Sequence, residues 1–401
     1  MRRGWARVAA IIGMGLLSGL AAGLLGGIPL HPEDGFLYGG KPDPRIVIVG
    51  VDDKSLGELG AYPFSRRVYG DAITKLNQDG AAAIGIDTGF VGPSSIPGDA
   101  ELHQAHVDSR IPVVLAYGES DLHFAANSFR MAGEDLAPFW QERCLDESCS
   151  QPIPSVTLGA TAVIFSSDGR AREAPLVAMP ECYPASCSTQ YIAAFGFSVY
   201  RALAGGSQST LRQIPGGFSM PEWTRPLPTG PSSQFEIRYQ VHPGAWRQAG
   251  RYFSLSDLVL GRVNPAAFAG KLVLIGADGA TGLHDEVSVP GDSSLMPGVE
   301  VHANIVSMFL QDQFLLTENP LSTALAGLLL GMLLVVAVLG LPILATLPVR
   351  VVTAGAYCAL VMVSTRVGVE LNLVGVVGAV PLAWAATVAY KLFLLEGGRH
   401  S

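Results

Sequence analysis

The sequence predicts an α/β protein in which a mixed, mostly parallel sheet with flanking helices forms an extracytoplasmic domain, joined to four transmembrane α-helices. Three observations predict it. Of the 401 residues, 49% are apolar and only 15% charged, and the charges crowd into the middle of the chain. Four uninterrupted apolar stretches approach the roughly 20 residues that a bilayer-spanning helix needs. Between the first and second of them, Val- and Ile-rich runs alternate with segments of helical period, the pattern of a parallel sheet. The chain is long enough for one large domain or two ordinary ones with a core of their own.

The first apolar stretch, Val8 to Ile28, carries no charge. Gly15, Gly19, Gly23 and Gly27 recur every four residues along it, which puts them on one face where another helix can approach closely. A cleaved signal peptide is the alternative reading, set against a run longer than the usual apolar region of a signal. Leu321 to Leu347 is uncharged, with Pro342 expected to end or kink it. Val351 to Thr365 is short, and its flanking Arg350 and Arg366 must reach for the two interfaces. Leu371 to Tyr390 is uncharged and closes with Lys391.

These stretches divide the chain into an N-terminal membrane helix (1–30), an extracytoplasmic domain (31–320), three membrane helices (321–395) and a short cytoplasmic tail (396–401). Basic residues in short flanks tend to stay in the cytoplasm. Arg2, Arg3 and Arg7 therefore hold the N-terminus inside, and four crossings return the C-terminus there, with Arg350, Lys391 and Arg399 in agreement and Arg366 against. The expected place is the cell membrane, with the lipid bilayer as the first partner.

Cysteine usage supports an oxidising compartment. Cys144 with Cys149 and Cys182 with Cys187 form two close pairs, which read as two disulfides of open connectivity, a four-thiolate zinc site being the rival. Cys358 falls in a membrane stretch. The net charge of −8, with no basic cluster outside the membrane flanks, sets nucleic acid aside as a partner.

In the middle region, Arg45 to Val51 reads as a buried strand, Ser65 to Leu76 as a helix stopped by Asp79-Gly80, and Ala81 to Ile86 as a second strand ending at Asp87. Strand, helix and strand make a βαβ unit. A helix at Asp99 to Ser109 precedes a third strand, Ile111 to Tyr117. Strands at Ala160 to Phe165 and from Ala171 flank the turn Ser167-Asp168-Gly169. Gln190 to Leu203 has helical period, Phe235 to Val241 alternates as a half-buried strand, and Lys271 to Gly276 is the last buried strand. Val299 to Phe314 reads as an amphipathic helix leading towards the second membrane stretch, with Asn319-Pro320 as a break between them.

The segment Ile46–Leu56 (IVIVGVDDKSL), followed by Gly60–Arg67 (GAYPFSRR), resembles the start of the second type of CHASE domain. The likeness recurs at Ala83–Phe90 (AIGIDTGF), at Asp168-Gly169-Arg170, at Phe268–Ala277 (FAGKLVLIGA) and at Met296–Asn304 (MPGVEVHAN). Five matches in order cover about residues 36 to 318. The resemblance implies an extracytoplasmic sensor of a bacterial signalling protein, with one membrane helix before it and three after. It also implies a cyclase, kinase or phosphatase output. Only Glu396–Ser401 follows Leu395, so that output is expected on a separate or missing domain.

Asp52, Asp53, Asp87 and Asp278 each fall at the C-terminal end of a predicted parallel strand, the edge where open α/β sheets bind ligands. His284 and Asp285 fall on the adjacent loop. Together they are the candidate ligand-binding residues for a cation, an amine or sugar hydroxyls. The plainer reading makes the aspartates turn and helix caps, with Arg66 or Arg67 neutralising one of them. Gly276, Gly279 and Gly282 form a turn that could face an anion, although Asp278 would repel it. His302 is a candidate pH sensor, or a histidine that satisfies a local hydrogen bond.

No G-x-S-x-G elbow, P-loop, H-E-x-x-H pair or paired C-x-x-C is present, so neither catalytic residues, metal nor cofactor are assigned. The reading is a non-enzymatic sensory receptor that takes an unknown small extracytoplasmic ligand and signals to a cytoplasmic output protein. A ligand-independent assembly platform is the alternative, and a surface hydrolase using the aspartates comes third. A homodimer is compatible with all three, the glycine face offering a contact.

Overall fold

The computed structural model describes residues 2–28, 31–90, 98–117, 123–124, 156–179, 192–204, 211–230, 232–279, 283, 285–317 and 320–397. Cys144, Cys149, Cys182, Cys187 and His284 lie outside them, so the two expected disulfides gain no support. The chain divides into two compact units, one formed by Tyr38–Phe314 and one by Met1–Leu37 with Leu315–Ser401.

The Tyr38–Phe314 unit is built on six strands: β1 (Ile46–Val51), β2 (Ala83–Asp87), β3 (Val113–Tyr117), β4 (Val156–Ala160), β5 (Tyr252–Ser254) and β6 (Leu272–Ala277). They lie in the order β5-β1-β6-β2-β3-β4, and every neighbouring pair is parallel. The sheet is buried on both faces, which is why β1 and β6 read as unbroken Val, Ile and Leu runs. Its side chains still alternate. Val47, Val49, Val51, Val273 and Ile275 point into one core, and Ile46, Ile48, Leu272 and Leu274 into another.

Helices α2 (Asp53–Leu59), α3 (Arg67–Gln78) and α4 (Asp99–Val107) cover the first face. In α3, Tyr69, Ala72, Ile73 and Leu76 are buried at helical spacing, and the left-handed Gly80 turns the chain into β2. Helix α5 (Phe195–Leu203) and a short α6 (Ala245–Gln248) lie on the second face, a short α7 (Leu255–Val259) on the first, and α8 (Gly298–Leu310) on the second. Gly276 lets α8 approach closely, because a Cβ there would sit 2.9 Å from that of Val299.

The structure corrects several expectations. Helix α8 is buried from Val299 to Phe309 rather than amphipathic. One side meets the sheet through Val299, Ala303 and Val306. The other meets a second core through Val301, Ile305, Met308 and Phe309, where Phe197, Tyr200, Trp223 and Phe314 gather around the Phe309 ring. The helix ends at Leu310, short of the expected Phe314, and Asp312 stands at φ 55° just beyond it. The expected strand at Ala160 to Phe165 is two strands, because β4 joins the parallel sheet while Ile164–Phe165 pairs antiparallel with Ala171–Pro175. Gln234–Glu236 is the strand found within the expected Phe235 to Val241, and it pairs with Ala171–Pro175.

The second unit contains four helices long and apolar enough to cross a membrane: α1 (Arg2–Gly26), α9 (Pro320–Gly340), α10 (Ile343–Arg366) and α11 (Leu373–Gly397). Pro342 separates α9 from α10, so α9 ends before the expected Leu347 and α10 is longer than the Val351 to Thr365 stretch. Arg350 is thus inside a helix rather than at its flank, with its guanidinium 5.1 Å from the centre of the Trp384 ring. Gly15 and Gly19 of α1 face α9, where added Cβ atoms would fall 2.3 Å from Met332 and 2.8 Å from the Ala324 carbonyl oxygen. Gly327 and Gly331 of α9 meet Ala22 and Ser18 just as closely. Gly15 and Gly19 therefore pack within the chain and do not by themselves support a homodimer.

Candidate functional site

The strand-end aspartates separate into two groups with different surroundings. Asp52 follows β1 and caps α2: its carboxylate accepts from the backbone N–H of Ser55 at 2.9 Å. It also accepts from the hydroxyls of Ser55 at 2.8 Å, Ser254 at 2.7 Å and Tyr252 at 3.1 Å. Burial opposes its charge, yet these donors outweigh that and hold it below the usual carboxylate range. Asp53 is exposed in the first turn of α2. Asp278 follows β6 and is ion-paired with Arg247, whose guanidinium lies 3.6 Å from the Tyr252 ring centre. Asp52 and Asp278 are thus engaged at the ends of β1, β5 and β6.

Arg66 and Arg67 do not neutralise the strand ends. Arg66 pairs with Asp99 at 3.0 Å and Arg67 with Asp71 at 3.6 Å. Arg247 fills that role for Asp278, and Glu300 accepts the backbone N–H of Gly244 at 2.8 Å nearby. Burial, with the Asp278 charge adding to it, lifts Glu300 to about 7.

The second group gathers around the end of β2. Asp87 is only 10% exposed, and its carboxyl has no Lys or Arg partner among the described residues. Burial alone raises it to about 7. His302 on α8 faces it with Nε2 3.8 Å from Oδ2, too far for a hydrogen bond, and among the described residues its Nδ1 has no partner. The imidazole is 4% exposed, packed edge-on against Phe195, and burial lowers it to about 4. Asp285 lies at the same end, its carboxyl so near Gly298 that an added Cβ would meet Oδ1 at 2.7 Å. Although the residue reaches solvent, partial burial and the neighbouring Asp87 and Glu286 charges raise it to about 6.

Two tyrosines complete this group. Tyr62, 41% exposed, shares a hydrogen bond with buried Tyr69, which also meets the Thr88 hydroxyl at 3.5 Å. Burial and then the Asp285 and Asp87 charges raise Tyr62. Phe64 and Phe90 stand edge-on to Tyr62 and Tyr69 at 5.7 and 5.1 Å. The family model for the CHASE2 domain matches residues 14–341, a span that includes the whole sheet and both groups. The chain belongs to the CHASE2 family. No curated protein and no solved structure matches it.

In this CHASE2 domain, then, Asp87 and Asp285 come together, while Asp52, Asp53 and Asp278 stand apart from them in bonded or exposed settings. Tyr62, Tyr69 and Arg247 are the residues that sequence reasoning missed, and His302 was seen without its partner. A signal for the first two was present. Aromatic residues at Tyr62, Phe64 and Tyr69 flank an X-Pro turn between a strand-end aspartate and a helix, where a binding loop is expected. Among the described residues no group of three His, Cys, Asp or Glu side chains has the arrangement to hold a metal ion.

Proposed function

We propose that this membrane-anchored CHASE2 chain is a sensory receptor that binds a small extracytoplasmic ligand at the Asp87, Asp285 and His302 edge and passes a conformational bias to the membrane helices. One observation carries the reading. Among the described residues, Asp87 and His302 face one another, both largely buried, at 3.8 Å without a hydrogen bond between them, and the His302 Nδ1 has no partner. Such groups cost stability unless something else satisfies them, and a ligand that does so binds with that free energy.

The route onward is covalent. His302 lies on α8, and nine residues separate Leu310 at its end from Pro320 at the start of α9. A shift of α8 upon ligand binding reaches the membrane segment through that short connection, because α8 is packed into cores on both sides and moves as a unit. We place the domain outside the cytoplasm with both termini inside, on the strength of the basic N-terminal flank. The signal is read by a cytoplasmic output protein. The domain is treated as a binding module rather than an enzyme.

A thermal-shift screen of the full chain in detergent tests this. The expected result is at least one small polar molecule that raises the unfolding midpoint of the wild type and not that of Asp87→Asn. A broad library in which every stabilising compound acts equally on the two proteins would remove the proposed site.

A further inference from the structure

The composition of the Asp87 edge carries the charge of its ligand. Two elements bring acidic side chains to it: β2 ends in Asp87, and the strand Glu286–Ser288 with the residue before it supplies Glu286 and Asp285. The nearby cations are committed elsewhere, Arg66 to Asp99, Arg67 to Asp71 and Arg247 to Asp278. Among the described residues, neither Asp87 nor Asp285 has a Lys or Arg partner. The buried imidazole of His302 is independent of that acidic grouping. It is aimed at Asp87 from another element, is 4% exposed, and its Nδ1 has no hydrogen-bond partner among the described residues. Being neutral, it has a ring nitrogen free to accept.

Deepening the receptor reading, on which it rests, we infer that this edge takes a primary ammonium group, held by the carboxylates of Asp87 and Asp285 beside the buried imidazole of His302. The donor count decides between cations. A quaternary ammonium offers no N–H, and a divalent metal ion calls for three or more side-chain ligands, which no group of His, Cys, Asp or Glu among the described residues provides. Tyr62, with a ring partly open to solvent beside the two carboxylates, supplies an aromatic surface for the alkyl part of the amine or for its charge. Neutral hydroxyl compounds would leave both carboxyl groups uncompensated, and anions would be repelled by them.

The groups facing the ammonium set the pH dependence. Asp87, Asp285 and Glu286, with His302 on α8, Tyr62 on the loop after α2 and Tyr69 on α3, surround the edge. Asp285 titrates near 6 and Asp87 near 7, so acidification removes both negative charges within the working range, while His302 stays neutral down to about 4. Amine binding should therefore weaken as pH falls from about 8 to about 5.

Calorimetric titration of the full chain in detergent with butylamine, butanol, butyrate and tetramethylammonium, at matched ionic strength, tests this. Saturable binding of butylamine alone is expected, about tenfold or more weaker at the lower pH and in both Asp87→Asn and Asp285→Asn. Asp285 is an exposed residue, so its variant keeps the test if Asp87→Asn fails to fold. Binding of butanol or butyrate at this edge would overturn the amine assignment, as would butylamine binding that ignores both substitutions or an absence of saturable binding. A non-amine whose stabilising effect is lost in Asp87→Asn would overturn the ammonium and leave the receptor standing.

Discussion

Asp52 and Asp87 are the same residue type at the same kind of place, the C-terminal ends of parallel strands that flank β6, yet they have opposite characters. Asp52 collects one backbone N–H and three hydroxyls and is held in its charged form. Among the described residues Asp87 collects none, and it is pushed towards its neutral form by burial. Strand-end position alone therefore does not separate a structural carboxylate from a candidate ligand-binding one. The donors around it do. The serines and tyrosine of the β5 edge commit Asp52 to the fold, whereas a buried imidazole 3.8 Å away leaves Asp87 available.

The largest expected effect is on the committed side. Asp52→Ala removes a helix cap and the shared acceptor of the Ser55, Ser254 and Tyr252 hydroxyls, and should lower stability by about 2–3 kcal/mol in a denaturant titration. A loss below about 0.5 kcal/mol would mean that Asp52 is no more engaged than Asp87. Next is Arg247→Met, which leaves the nearly buried Asp278 without its cation. Because the Arg247 side chain is half exposed and screened, the expected loss is about 1 kcal/mol, shrinking at high salt.

Asp87→Asn should act in the opposite direction, and with a pH signature. The folded protein holds a proton on Asp87 up to about pH 7, whereas the unfolded chain releases it near 3.8. Stability from this group is thus complete below 3.8 and is lost as pH rises through about 7. His302 works with the reverse sign, since its folded value near 4 lies below its ordinary 6.5. The two compensate in between, and only the carboxyl cost remains above 6.5. Relative to the wild type, Asp87→Asn should gain on the order of 1 kcal/mol in stability between about pH 5 and pH 8. A constant difference across that range would place Asp87 in a solvated setting.

Much of this architecture is legible in the residues. The continuous apolar runs of β1, β2 and β6 announce a sheet buried on both faces, and the stripe Tyr69, Ile73 and Leu76 announces α3. The strand-end aspartates are equally visible. The insertion of β6 between β1 and β2 is not, because parallel pairing over some two hundred residues leaves no local mark. That insertion is what sets His302, at the far end of the domain sequence, opposite Asp87. Short strand β5 and the α6 residue Arg247 were likewise invisible, since three residues carry too little periodicity to read. The expected amphipathic α8 was misjudged for a related reason. Glu300, His302 and Asn304 look like a solvent face in sequence, but each is buried against a specific neighbour, Glu300 on the Gly244 N–H and Asn304 on the Gln240 N–H.

The protonation state of Asp87 tests the account most directly. Infrared difference spectra of the full chain carrying Glu300→Gln and Asp285→Asn, which remove the carboxyls lifted to about 7 and about 6 elsewhere, should show across neutral pH a protonated-carboxyl band that fades with a midpoint near 7. The band should be absent in Asp87→Asn and retained in Asp52→Asn. A band that disappears well below pH 5, or one that survives in Asp87→Asn, would contradict the division between the two carboxylates on which the binding site rests.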